Sequence, residues 1–116
     1  MEDKKEEIRF EWDDRKNEIN IKKHGVSFLE AEEAFFDDCA VRFDDPGHSI
    51  GEERFLLIGA TSRGLLMVCH CYREEGEVIR IISARKATKN ERLIYIKENC
   101  FRSLQRITGS FSKASD

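Results

Sequence analysis

Five cations, Arg80, Arg85, Lys86, Lys89 and Arg92, fall within thirteen residues of a chain whose formal net charge is -3. They sit where an apolar run, "EVIRIISAR", gives way to a helical pattern. This arrangement suits phosphate binding, because a planar guanidinium holds two phosphate oxygens at once and stays charged when partly desolvated. Two further clusters carry groups able to move protons beside such a site. "KNEINIKKHG" brings Lys22, Lys23 and His24, of which only the imidazole titrates near neutrality unless its surroundings depress a lysine. "GEERF" sets Glu52 and Glu53 against Arg54.

Each of these residues also has a plainer reading. Arg80 interrupts "VIRII" where an apolar residue is expected, so it is either a site residue or a solvated side chain on the outer face of a one-sided sheet. By strict alternation Arg85 lies on the opposite face from Arg80, and a bulge or the strand end is needed to bring the two together. Arg85 is then a phosphate ligand or a clamp on a carboxylate of the amino-terminal helices. Ser83 can donate to a phosphate or be satisfied locally.

On a helix, Asn17, Asn20 and His24 share one face with Lys23 beside it. His24 and Gly25 equally form a helix-ending turn, and Lys22 or Lys23 complements the helix dipole. Glu52, Glu53 and Arg54 read as a solvated strand start as well as a phosphate site. Arg63 in "TSRG" is a turn residue with a phosphate contact in reach, His48 reads as exposed, and His70 reads as a bonded core histidine or a secondary acid or base.

The elements that must position these groups follow from capping and period. Residues 1–7 read as a charged, frayed leader before a short strand, "IRFEW", in which Ile8, Phe10 and Trp12 alternate with polar residues. Asp13 is an N-cap for a helix running to about His24, where Gly25 supplies a left-handed end. "SFLE" is a capping box, Ser27 to Glu30, with Val26 and Ala31 in the staple positions, and it opens a helix over 28–37 with Phe28, Ala31 and Phe35 turned inward. Short runs rich in β-branched and aromatic residues follow, separated by "PGHSIGEE", "SRG" and "EEGE", and predict an antiparallel meander. A capping box from Thr88 to Glu91 opens a last helix with Leu93, Ile96, Cys100, Leu104 and Ile107 as its apolar stripe, ended by Gly109 and followed by a loose tail over 110–116. The fold class is α+β, a curved antiparallel sheet with two helices after its first strand and one at the carboxyl end.

A chain of 116 residues with one proline buries one core, so a single domain over 1–116 is expected. No apolar run reaches the ~20 residues that span a bilayer, and "MEDKKEEIRF" lacks a signal-peptide core, which predicts a soluble cytoplasmic protein. Cys39, Cys69, Cys71 and Cys100 form no C-x-x-C pair. In "LLMVCHCY" a strand puts Cys69 and Cys71 on one face and His70 on the other, which argues against a zinc site and for small core thiols in a reducing compartment. No metal or cofactor is expected.

Three stretches, "FEWDDRKNEINIKKHGVSF", "GEERFLLIGATSRG" and "IRIISARKATKNERLIY", occur in the order and spacing of one family. Over residues 10 to about 95 the chain resembles BrnT, the toxin of a bacterial type II toxin–antitoxin system. The resemblance implies a fold like the RelE ribonucleases and metal-independent RNA cleavage that arrests translation. It also implies neutralisation by a BrnA-type antitoxin with a ribbon-helix-helix part, through which alone the complex meets DNA and represses its own operon. A homodimer inside the toxin–antitoxin assembly is a further expectation, and no membrane is involved. The carboxyl end departs from the family pattern in a longer helix carrying Arg102 and Arg106.

Metal-free RNA cleavage needs a base near the ribose 2′-hydroxyl, an acid at the leaving oxygen and cations around the charged phosphorane. With the R-x-x-S-A-R pattern of the family, Arg80, Lys23, His24, Arg54 and Glu53 become the catalytic candidates. Arg85, Arg63, Ser83 and Lys86 become substrate contacts, with His70, Glu52 and Lys22 in reserve. Two rival classes remain: a non-catalytic RNA-binding or co-repressor module, which loses affinity gradually as cations are removed, and a structural partner domain, which has no RNA affinity.

Overall fold

The computed structural model describes residues 8–45, 47 and 51–115, the last eight of these as backbone only. The charged leader and His48 therefore lie outside the described residues. The chain begins with β1 (Arg9–Glu11), from which Phe10 and Trp12 pack against the core. Helix α1 (Asp14–His24) starts where the side chain of Asp13 accepts from the backbone N–H of Arg15 at 2.8 Å and of Lys16 at 3.2 Å. It ends at Gly25, whose φ of 72° suits a residue without Cβ.

Helix α2 (Phe28–Glu32) opens on the predicted capping box, with Ser27 and Glu30 bonded reciprocally at 3.0 Å and Val26 and Ala31 fully buried beneath. The predicted helix to residue 37 instead tightens into a 3₁₀ turn (Glu33–Phe36). The reason is close packing on the sheet: a Cβ at Gly59 would lie 2.5 Å from the Ala34 carbonyl oxygen, so only glycine lets that turn approach.

The meander follows as β2 (Val41–Asp44), β3 (Phe55–Thr61), β4 (Gly64–Arg73) and β5 (Val78–Lys86), each antiparallel to the next. The sheet order is β1-β5-β4-β3-β2. The fold is α+β as the sequence predicts, but the sheet is mixed, because β1 joins β5 in parallel with Arg9, Phe10 and Glu11 beside Val78, Ile79 and Arg80. Alternating apolar residues mark β1 as a strand without fixing its direction.

One face of the sheet carries the core. Leu57, Leu66, Val68, Ile79, Ile81 and Ala84 bury against Val26, Phe28, Ala31 and Ala34 from the helical segment. Beyond the three paired residues of β1, the backbone of β5 is held by α1. The buried Asn20 amide donates to the carbonyls of Ala84 (2.8 Å) and Val26 (2.9 Å) and accepts from the N–H of Ala84 (3.1 Å). Asn17 accepts from the N–H of Phe28 at 2.8 Å. The asparagine face of α1 thus fastens the helix to the sheet edge.

Helix α3 (Lys89–Ser115) opens on the predicted Thr88–Glu91 capping box and passes through Gly109 without ending there. A lone glycine costs a helix only about 1 kcal/mol, and the tail expected over 110–116 is helical through Ser115. The apolar stripe of this helix does not face the body. The residues that touch the body are Glu91, Tyr95, Asn99 and Arg102, while Leu93, Ile96, Cys100, Leu104 and Ile107 face outward. Among the described residues no helix is long and apolar enough to cross a membrane.

Candidate RNA-binding and cleavage site

The face of the sheet away from the core is opened to chemistry by a bulge. On β4, Cys71 lies beside Arg80, Cys69 beside Ser83 and Met67 beside Arg85, while His70 lies beside Ile81. Ile82 is therefore an extra residue in β5 opposite the Cys69/His70 step. Without it, alternation would send Arg85 to the core face. With it, Arg80, Ser83 and Arg85 all project from the open face.

Across the sheet, the N–H of Asp45 donates to the Arg54 carbonyl at 3.0 Å and closes the base of the connection between β2 and β3. Arg54 and Asp45 thereby meet Ser83 and Arg85 around a cleft of about 290 Å³ floored by Leu56, Met67 and Ile82, with Cys69 in its wall. Cations above an apolar floor match a nucleotide, whose phosphate needs the first and whose base and ribose carbons use the second. The Cys69 thiol, 3.9 Å from Asp45, is pushed above its usual pKa by burial and by Asp45, against the opposing charges of Arg54 and Lys16, so it stays a neutral thiol.

The arginines are aimed by carboxylates. Glu91, whose side chain is only 16% exposed, grips Arg85 in a two-pronged pair at 2.8 and 2.9 Å. That pairing holds the Glu91 carboxyl below its ordinary range and raises Arg85 further. The clamp reading of Arg85 gave it a carboxylate of the amino-terminal helices; the carboxylate that holds it belongs instead to α3, brought over β5 by the turn at Ala87 and Thr88. With one more N–H given to the Lys86 carbonyl at 3.3 Å, Arg85 keeps two of its five donors for a ligand.

Arg80 donates to Glu11 at 2.8 Å from the neighbouring strand, and Arg73 stands 3.9 Å from Glu11 and 3.7 Å from Glu52. Arg80 lies beyond the lining of the cleft, at one end of an alternating row of charges formed with Glu11, Arg73 and Glu52. Asp13, at the start of α1, lies within the field of Arg80 and Lys16 and is held below its usual range chiefly by the backbone N–H groups of Lys16 and Arg15.

The remaining candidates are placed elsewhere. Lys22, Lys23 and His24 end α1, whereas the cleft side of that helix is its start. Next to them the Gly25 carbonyl accepts from Arg63 at 3.1 Å, and Arg63 also pairs with Glu30 at 3.3 Å, so Arg63 clamps the β3–β4 turn to the helices. Lys86 follows Arg85 and points to the other side of the sheet, and Glu53 is exposed at the entrance to β3.

His70 is fully buried among Phe35, Phe55 and Tyr72 on the core side. Burial depresses its pKa to about 4, so it stays neutral, with Nδ1 3.3 Å from the Val68 carbonyl. It is the bonded core histidine of the plainer reading rather than a proton carrier.

Glu11, Lys16, Asp45, Arg73 and the clamping role of Glu91 were not legible as site features. Glu11 depends on the parallel pairing of β1, and Asp45 on the ladder bond to Arg54. Only Glu91 left a trace, as the acidic end of a capping box.

Comparison with known proteins bears on the fold and the family. Residues 12–91 match the family model described as the ribonuclease toxin, BrnT, of type II toxin–antitoxin systems. The crystal structure of the Brucella abortus ribonuclease toxin, BrnT, superposes with a TM-score of 0.54 at 24% identity, covering 72% of this chain and 100% of that one, which supports the shared fold. No curated protein matches the chain. Because the matched segment spans most of the sequence and contains four of the five strands, the chain belongs to the BrnT family of ribonuclease toxins of type II toxin–antitoxin systems.

Proposed function

We propose that this toxin cleaves RNA without a metal, at the open face of its sheet, by attack of a ribose 2′-hydroxyl on the adjacent phosphorus that breaks the bond to the 5′-oxygen, leaving a 2′,3′-cyclic phosphate and a 5′-hydroxyl protonated from solvent. The observation that carries the reading is the bulge at Ile82, which sets Arg80, Ser83 and Arg85 on one face opposite Arg54. Arg54 and the two free donors of Arg85 take the phosphate oxygens, and Ser83 donates to a third. As the phosphorane gains charge the fixed guanidinium groups stabilise it, the kind of term for which single donors are worth about 10²–10³-fold in rate. Arg80, held by Glu11, draws the neighbouring phosphate along the strand, and Glu52, 3.7 Å from Arg73, accepts a proton from the sugar in this reading.

The net charge of -3 fits a local cationic cleft in an otherwise acidic chain. In the cell the reaction arrests translation. A BrnA-type antitoxin with a ribbon-helix-helix part covers the cleft and carries the complex to its operator. The test is induction of the parent and of Arg80→Ala without antitoxin, with the variant's circular dichroism as a control on folding. Growth arrest by the parent and none by the folded variant is the expected result. A variant that folds and still arrests growth removes Arg80 from the site.

A further inference from the structure

Helix α3 is built inside out for a terminal helix of a monomer. Its side against the body is polar: Glu91 on Arg85, the Tyr95 hydroxyl donating to Asp37 at 2.8 Å, Asn99 donating to the Cys39 carbonyl at 3.1 Å, and Arg102 donating to the Cys39 and Ala40 carbonyls at 3.3 Å. The opposite side is apolar and open, with Leu93 48%, Ile96 52%, Leu104 58% and Ile107 73% exposed and Phe101 alongside. A contiguous apolar surface of this kind marks an interaction site on a soluble protein.

The spacing of the stripe identifies what covers it. From Leu93 to Ile96, Cys100, Leu104 and Ile107 the steps are three, four, four and three residues, the same read in either direction. A two-fold interface requires a self-complementary patch, and this stripe is one. Laid antiparallel on its own copy about an axis through Cys100, it places Leu93 against Ile107, Ile96 against Leu104, and Cys100 against Cys100. Charge selects the same orientation. The antiparallel pair sets Lys97, beside the stripe, against Ser103, whereas a parallel pair would set Lys97 against Lys97. The stripe from Leu93 onward lies beyond the family match, which ends at Glu91.

We infer that α3 is the dimer interface of this toxin, two copies packing their α3 helices antiparallel through Leu93, Ile96, Cys100, Leu104 and Ile107. The pairing is independent of the cleavage reading. It leaves the polar side of each helix on its own sheet, so each Glu91 goes on holding Arg85.

The test uses the full chain without antitoxin in sedimentation equilibrium at tens of micromolar. The parent should sediment as a dimer and Ile96→Glu as a monomer with unchanged circular dichroism. Diamide oxidation of Cys39→Ser, in which two thiols give two protons and two electrons to the diazene, should then join two chains, and the additional change Cys100→Ser should abolish the link. A monomeric parent overturns the inference, including one that gains mass only when an antitoxin is added. So does a dimer that survives Ile96→Glu, or a link that persists without Cys100.

Discussion

Arg80 and Arg85 stand on the same face of β5 although they are five positions apart, an odd step, because Ile82 adds one residue between their positions in the ladder. The pairs Arg80 with Cys71 and Arg85 with Met67 fix this relation. Lys86, one residue on, is turned to the opposite side, so the bulge divides cations that the sequence runs together.

Arg85→Ala should therefore lower single-turnover cleavage by about 10²-fold or more, as expected for loss of a fixed transition-state donor. Lys86→Ala should stay within a few-fold of the parent. Equal losses in the two variants would mean that the strand acts as a diffuse basic patch and that its register is irrelevant.

Much of the scaffold was legible because capping is local chemistry. Asp13, Ser27 with Glu30, and Thr88 with Glu91 each act on N–H groups two or three residues away, and all three begin helices where expected. The need for a bulge between Arg80 and Arg85 was also legible as a condition, since alternation is a property of any strand. Contacts between distant segments were not. Asn17 and Asn20 share a helix face, as their spacing predicts, but that face fastens α1 to Phe28 and Ala84 rather than lining the cleft with His24. The stripe of α3 was legible as apolar but the side it takes was not, because periodicity defines a face without saying which element meets it. Here the opposite face finds Asp37 and the carbonyls of Cys39 and Ala40.

Asn20→Ala should destabilise the protein by roughly 3 kcal/mol, because it strands buried backbone groups of Ala84 and Val26 that have no water to replace the amide. Urea denaturation gives the value. A loss below ~1 kcal/mol would show that α1 is held to the sheet by other contacts.

His70 gives stability a pH dependence of definite sign. Its native pKa of about 4 lies below the unfolded value of 6.5, so unfolding takes up a proton between these limits. The contribution is fully present above pH 6.5 and falls away as pH drops toward 4, amounting to roughly 3 kcal/mol. The lowered carboxyl of Asp37, held down by the N–H groups of Ala60 and Cys39 and the Tyr95 hydroxyl against its burial, is lost only at lower pH. Urea midpoints for the parent and His70→Phe should converge in slope at neutral pH and diverge between pH 6.5 and 4.5. Parallel curves through that window would mean that His70 is not buried neutral.

The most direct test of the central claim is single-turnover cleavage of a ribosome-free RNA by the purified toxin in excess EDTA, beside Arg54→Ala with its RNA affinity measured in parallel. The account predicts cleavage by the parent to a 2′,3′-cyclic phosphate end, and a variant that binds RNA within a few-fold but cleaves about 10²-fold more slowly. RNA that is bound but left intact by the parent in EDTA, or an Arg54→Ala protein that cleaves as fast as the parent, would contradict it.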